Sequence, residues 1–334
     1  MSQAHSNFRT KIAGTGKALP AQERTNADLA KMVETSDEWI AARTGIRSRR
    51  ILEAGRSTSD LAAEAGRAAL EKAELKATDL DCIIVGTVTP DMPMPAVAVS
   101  VQQKLGAGVC AAFDLSAACA GFIYGMSVGD AFIKSGQFKR VLVIGVEILS
   151  RIVDWTDRNT CVLFGDGAGA AVLTATAGDD PRTILSTHIY ADGAGVPWLN
   201  IPAGGSLEPT TVDTVQKKRH LVHMQGKPIF IHAVKNISRA CLTALEHNGV
   251  SGAEVDWVVA HQANLRILEG VSERTGIGLD RFFLNIHKYG NTSSASIPIA
   301  LDEAMTEGKV RPGQLVVMGA LGAGLSWGSA LVRV

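Results

Sequence analysis

This sequence predicts an α/β fold built from two copies of one strand–helix unit, and three observations carry that expectation. Short, mostly apolar runs such as Cys82–Val88, Arg140–Val146 and Trp257–Ala260 read as buried strands. Segments with helical apolar periodicity lie between them, and such alternation favours mainly parallel sheets covered by helices. The two halves also end alike: Arg140–Val146 followed by Gly165–Leu173 matches the texture of Gln314–Gly319 followed by Gly322–Val332. The expected domains are residues 1–178 and 179–334, joined near 176–183.

Bulk properties narrow the class. A chain of 334 residues buries one large core or two half-sized ones. Apolar residues make up 46% and charged residues 20%, the balance of a soluble globular protein. Thirty-three basic and 33 acidic residues cancel, so no global field draws nucleic acid or an anionic membrane. No apolar run approaches the ~20 residues that span a bilayer, and residues 1–10 lack the apolar stretch of a signal peptide. The 5 cysteines are odd in number and scattered through apolar runs. That pattern suits reduced thiols and a cytoplasmic location, not a disulfide framework.

Taken in order, Lys11–Gly16 reads as a strand stopped at Leu19-Pro20. Asn26 is the expected cap of a helix over Ala27–Val33, and Ser36 caps the next, with acids in its first turn. A basic stretch follows (Arg43, Arg47, Arg49, Arg50), then an amphipathic helix over Ser57–Ala73. After the strand Cys82–Val88 comes a Pro-rich loop, Thr89–Pro95, and a helix ending at Leu105. The strand Cys110–Phe113 leads through small residues to Cys119 and a helix whose apolar stripe (Phe122, Ile123, Met126, Ile133) closes at Gly136. Beyond Arg140–Val146, the polar loop Trp155–Arg158 precedes Gly165–Gly169 and the strand Ala170–Thr174. The second half reads as the strand Ile184–Ala191, a polar excursion through His220–His223, and helices over Ile229–Asn248, Ala263–Thr275 and Ser294–Glu307. Its strands are Trp257–Ala260, Phe282–Asn285, Gln314–Gly319 and Ser329–Val334.

Three residues stand at strand-to-helix turns, where parallel α/β sheets place ligands and catalytic groups: Cys119, His261 and Asn291. Each has a plain structural reading, as a buried thiol, a core histidine and a helix cap. Their recurrence at equivalent turns of two repeats favours catalysis. A cysteine before a helix faces unpaired N–H groups and a partial positive charge, so a thiolate is expected there. Two glycine motifs fail as dinucleotide sites: Gly14-Thr15-Gly16 meets Pro20 where a helix belongs, and Gly165–Ala170 runs into a β-branched strand. The pair His220 and His223 lies in a basic loop with no Cys or acid at ligand spacing, so no metal is expected.

The motifs TSDEWIAARTG (Thr35–Gly45), ACAG (Ala118–Gly121), FGDGAG (Phe164–Gly169), HQANLR (His261–Arg266), GNTS (Gly290–Ser293) and WGSA (Trp327–Ala330) resemble those of the thiolase-fold condensing enzymes. The resemblance is specifically to 3-oxoacyl-[acyl carrier protein] synthase III and runs from about Lys11 to Val334. It implies a thiolase-like fold, two βαβαβαββ halves in a five-layered αβαβα arrangement. It also implies that Cys119 takes an acyl group from acyl-CoA and passes it to the carbanion left when malonyl-carrier protein loses CO2. His261 and Asn291 would stabilise the enolate; Asn donates without titrating, which favours decarboxylative condensation over simple acyl transfer. By the same resemblance the backbone N–H groups of Cys119 and Ala323 form an oxyanion hole. Family members often carry glycine where Ala323 stands, and a backbone donor survives that change if the local φ/ψ accepts a Cβ. Trp39 would stack on the adenine of CoA, with Arg43 and Arg158 on its nucleotide and phosphates. Arg266, Arg274 and Gln262 would meet the acidic acyl carrier protein. Met94 stands where relatives often place an aromatic residue that reaches into the partner's acyl pocket in a homodimer, and a flexible Met there leaves room for longer or branched primers. No permanently bound cofactor is implied; CoA thioester enters as substrate.

Three other readings stay open at this level. A cysteine hydrolase would use His261 as the base for Cys119, although no protease signature surrounds that cysteine. An acyltransferase or secondary-metabolite condensing enzyme of the same fold would use another acceptor. A non-catalytic binding module is the third.

Overall fold

The computed structural model of the chain describes residues 8–176 and 180–334. The expected domain boundary at 178/179 therefore lies outside the described residues. The first sheet comprises β1 (Arg9–Ala18), β2 (Cys82–Gly86), β3 (Ala111–Leu115), β4 (Arg140–Glu147) and β5 (Gly167–Thr176), in the order β1-β5-β4-β2-β3. The second holds β6 (Thr183–Ala191), β7 (Trp257–Ala260), β8 (Leu315–Gly322) and β9 (Ser326–Arg333), in the order β7-β8-β9-β6. In the first sheet β2 pairs in parallel with β3 and β4, and β5 runs antiparallel to both β4 and β1. The second repeats the scheme: β7 with β8 parallel, β8 with β9 and β9 with β6 antiparallel. A single parallel bridge from Val258 to Phe282 stands where β3 stands in the first sheet. The duplication predicted from sequence texture is thus a duplication of topology.

Six helices fill the layers. α1 (Thr58–Lys72) and α2 (Val97–Leu105) cover the outer face of the first sheet, and α4 (Gly226–His247) and α5 (Leu265–Thr275) that of the second. Between the sheets lie α3 (Gly121–Lys134) and α6 (Ser296–Thr306), which touch strands of both. Their sequences explain the position. Phe122, Ile123, Met126 and Ile133 of α3 and Ile297, Ile299, Leu301 and Ala304 of α6 are all buried, since these helices are apolar around most of their circumference. The outer helices bury one stripe only. The central core joins both sheets through α3 and α6, which is the five-layered arrangement. Among the described residues no helix is long and apolar enough to cross a membrane.

Several local expectations are corrected. Thr25, not Asn26, caps the first short helix: its hydroxyl accepts from the Asp28 N–H while Asp28 accepts from the Thr25 N–H, and the helix ends at Leu29. Asn26 is spent on tertiary contacts, donating to the Ile46 carbonyl at 2.7 Å and to Asp37 at 2.8 Å. Ser36 caps the helix Asp37–Thr44 as expected, accepting from the Trp39 N–H. Phe282–Asn285 contributes one bridge instead of a strand. The helix expected from Ser294 begins with a single 3-10 turn, Ser293–Ala295, before α6. Arg49, grouped by sequence with a basic surface stretch, is fully buried and donates to Asn26, Arg24 and Val162.

Candidate active site

Cys119 sits in a 3-10 turn, Ala118–Ala120, between the end of β3 and the start of α3. Two non-glycine residues with left-handed backbone flank the site: Ala118 at φ 45°, beside the cysteine, and Ser293 at φ 50° in the GNTS segment. Such conformations persist only where surrounding packing holds them, and they concentrate at functional turns. Gly322, at the end of β8, presses directly on the cysteine's backbone. A Cβ there would stand 2.5 Å from the Cys119 nitrogen and 2.9 Å from the Ala117 oxygen. Gly322→Ala is therefore expected to displace the Cys119 turn and to slow its acylation by roughly tenfold or more in a chain that still folds. Rapid-quench mass measurement alongside a thermal melt checks this; an unchanged acylation rate refutes it.

His261 follows β7 directly, and its N–H donates to the Gly319 carbonyl of β8 at 2.9 Å. The ring is 2% exposed, and Nδ1 has no hydrogen-bond partner among the described residues. Burial pushes its pKa down to about 3, so the imidazole is neutral near pH 7 and carries one N–H donor. Asn291 is stitched into the chain by its backbone, donating to the Leu163 carbonyl at 2.8 Å and accepting from the Gly165 N–H at 3.0 Å. Its side-chain oxygen accepts from the Ser293 N–H at 2.8 Å, which leaves the amide NH2 as its free half.

Cys119, His261 and Asn291 line one cavity of about 140 Å3, so the three sequence-predicted residues do meet. A second cavity, of about 200 Å3, also opens on Cys119 and is walled by Val88, Leu149, Ile152, Ile201, Val222 and Ala323. Ala323 does not adopt positive φ, so its Cβ is accommodated. Among the described residues, neither the Cys119 nor the Ala323 N–H donates to a backbone carbonyl.

Burial opposes the thiolate expected at this helix end. Burial pushes the Cys119 thiol up to about 12; the Ser293 hydroxyl, hydrogen-bonded to the sulfur, and the cysteine's own N–H oppose this only in part. Desolvation thus acts against the helix terminus at this thiol. The Glu147 charge adds to the effect. Sequence reasoning passed over Glu147, the last residue of β4. It is fully buried and accepts from the Thr89 hydroxyl at 2.7 Å, the Val88 N–H at 3.2 Å, and the Ser293 and Ser294 hydroxyls at 3.3 Å each. The available signal was a lone acid ending the otherwise apolar run VLVIGVE.

Away from the cysteine, Trp39, Arg43 and Arg158 form one cluster. The guanidinium carbons of Arg43 and Arg158 lie 4.5 and 4.9 Å from the half-buried Trp39 ring centroid, and Arg158 also donates to the Glu34 carbonyl at 2.9 Å. Arg266 donates to the Ala42 carbonyl at 3.0 Å, which ties α5 to the helix bearing Trp39. Arg266 and Arg274 border a shallow groove in which Glu269 and Glu273 also lie, so the charge there is mixed. Gln262 is not brought to that surface. It is 1% exposed, its NH2 donates to the Ala260 and Phe283 carbonyls, and its oxygen accepts from the Asn285 N–H. Its amide holds the turn together, and nothing of it is presented to a carrier protein. Met94 is 83% exposed and lines neither cavity of its own chain.

The geometry does not assemble a Cys–His–Asn hydrolase. In such a site the amide orients the imidazole, whereas here Asn291 binds Ser293 and His261 Nδ1 is unpartnered among the described residues. The Gly165–Gly169 motif opens β5, not a helix, and Asp166 is spent on the Leu52 N–H and on Ser150.

Comparison with known proteins agrees with this arrangement. The family model described as 3-Oxoacyl-[acyl-carrier-protein (ACP)] synthase III matches residues 113–193, and its C-terminal counterpart matches residues 245–334. The beta-ketoacyl-[acyl-carrier-protein] synthase III of Caldanaerobacter subterraneus is 49% identical over 322 residues, covering 96% of this chain and 97% of the relative. The crystal structure of the 3-oxoacyl-[acyl-carrier-protein] synthase III of Aquifex aeolicus superposes with a TM-score of 0.90 at 47% identity, covering 97% of this chain and all (100%) of the other. The priming beta-ketosynthase of the R1128 polyketide pathway superposes at 0.91 with 34% identity, covering 99% and 98%. By these family-model matches and by its identity over nearly the full length of its relatives, the chain belongs to the 3-oxoacyl-[acyl-carrier-protein] synthase III family.

Proposed function

We propose that the chain catalyses the decarboxylative condensation of an acyl-CoA primer with malonyl-carrier protein, through an acyl-Cys119 intermediate, giving a 3-oxoacyl-carrier protein, CO2 and CoA. One observation carries the reading: Cys119 lines both an apolar cavity and the cavity on which His261 and Asn291 meet it. The acyl chain takes the apolar side, while the Cys119 and Ala323 N–H groups receive the charge on its carbonyl in the tetrahedral intermediate. Malonyl thioester takes the other side, where loss of CO2 leaves an enolate oxygen for His261 and Asn291. A neutral imidazole and an amide suit that task, since neither protonates the carbanion before it attacks.

The cluster of Trp39, Arg43 and Arg158 supports recognition of the CoA nucleotide, with the indole face as a stacking platform for adenine. Base–aromatic stacking is worth about 1–3 kcal/mol. Trp39→Ala is therefore expected to raise the KM for acyl-CoA about tenfold, with the KM for malonyl-carrier protein unchanged. Steady-state kinetics with each substrate varied in turn checks this. Arg266 and Arg274 remain the proposed contacts for the carrier protein. The exposed Met94 is proposed to act across a homodimer, in the partner's acyl pocket.

Intact mass after incubation with acetyl-CoA and longer acyl-CoAs, then again after malonyl-carrier protein, tests the proposal. Acylation mapped to Cys119 and discharged as a 3-oxoacyl product with CO2 release supports it. The likeness to a polyketide priming ketosynthase gives a second reading, the same acyl-enzyme serving a specialised product. Acylation that malonyl-carrier protein does not discharge would favour another acceptor. No adduct with any acyl-CoA overturns both.

A further inference from the structure

The neutral pair at the centre of the site poses a chemical question. Cys119 must lose a proton to attack a thioester, and burial pushes its thiol pKa up while pushing that of His261 down. The structure offers one other acceptor. Glu147 ends β4 behind the cysteine turn, fully enclosed, and every group hydrogen-bonded to it is an uncharged hydroxyl or amide. These donors come from the segment after β2 (Thr87, Val88, Thr89) and from the turn before α6 (Ser293, Ser294); the titratable group facing it is the Cys119 thiol. Ser293 stands next to both ends: it lines the same cavity as Cys119, and its hydroxyl donates to Glu147 Oε1 at 3.3 Å.

We propose that Glu147 takes the proton of the Cys119 thiol through the Ser293 hydroxyl as the sulfur attacks the acyl donor. The S–H bond breaks and its proton moves to Ser293 Oγ, while the proton of that hydroxyl moves to Glu147 Oε1. The sulfur electron pair forms the C–S bond, and collapse of the tetrahedral intermediate expels the CoA thiolate. The proton held on Glu147 returns by the same hydroxyl to that leaving sulfur. Glu147 touches no substrate and acts through Ser293, so it is a positioning and proton-holding residue. Burial raises its pKa to about 7, which places the acceptor close to neutrality and far above an exposed glutamate. The inference deepens the proposed condensing activity and rests on it for the identity of the acyl donor.

The test measures two rates from pH 5.5 to 9: acetyl transfer from acetyl-CoA to Cys119 in a single turnover, and alkylation of Cys119 by iodoacetamide. The wild-type rates are expected to rise through an inflection near pH 7 and then level off as Glu147 ionises. Glu147→Gln and Ser293→Ala are each expected to lower both rates about 100-fold at pH 7. They should also replace the inflection with a continuous rise toward pH 9, as hydroxide takes over. A folded Ser293→Ala protein that keeps the wild-type inflection overturns the relay, and this variant decides the matter if Glu147→Gln does not fold. A carboxyl that merely braces the loops would change the melting temperature and leave the pH profile in place. Alkylation needs no acyl-CoA: failure of acetyl transfer with a normal alkylation profile would refute the condensing activity, not the relay.

Discussion

Cys119→Ala yields a protein that accepts no acyl group from acyl-CoA and condenses at least roughly 10^4-fold more slowly, yet still releases CO2 from malonyl-carrier protein. The first half of that expectation follows from the cavity's chemistry. Of the polar residues lining it besides Cys119, His261 is an imidazole whose pKa burial pushes down, and Asn264 and Asn291 are amides, so none replaces the sulfur as a nucleophile. The second half follows from the separation of roles. The enolate formed by decarboxylation is met by His261 and Asn291, which the substitution leaves in place. Alanine fits the site, because Cys119 lies in a 3-10 turn among small residues and removing one buried sulfur changes little volume. Mass spectrometry for the adduct and radiolabelled CO2 release for decarboxylation check the two halves independently. Loss of both activities in a folded variant would mean that the malonyl group reacts only beside an acylated cysteine.

The converse split is expected at the donor cavity. His261→Ala and Asn291→Ala should retain acylation of Cys119 within a few-fold while slowing condensation by about 10^2–10^3, the usual effect of removing one donor from a developing oxyanion. Asn291→Asp should be worse than Asn291→Ala. The new carboxylate keeps an oxygen for the Ser293 N–H, so the loop is not disturbed, but it presents negative charge where the NH2 donated. Comparing single-turnover acylation with steady-state condensation for the three variants reads this directly. If Asn291→Asp condensed faster than Asn291→Ala, the enolate would not lie against that side chain.

Local pattern carried much of the fold. The apolar runs of β2, β4 and β7 are strands because every residue in them can be buried, and α3 and α6 lie between the sheets because they are apolar on nearly all sides. The Ser36 cap and the small residues around Cys119 were equally legible, since their contacts lie within a few positions along the chain. The resemblance supplied roles for Trp39, Arg43 and Arg158, and the structure gathers these three at one indole ring.

The departures share a different character. Asn26 looked like a cap, yet it holds Ile46, Asp37 and Arg49; Gln262 looked available to a partner, yet its amide is used up by Ala260, Phe283 and Asn285. Glu147 looks like a plain strand end, yet it accepts from the hydroxyl of Ser293, 146 positions away. The sequence by itself determined which segments form strands and helices, that the plan is used twice, and that a cysteine, a histidine and an asparagine end up at its turns. Only the tertiary structure decided how their acidities shift: burial pushes the thiol and the Glu147 carboxyl up and the imidazole down. The reason is physical. Periodicity and capping are set by neighbours along the chain, whereas desolvation and close approach are set by segments that meet only when both halves have packed.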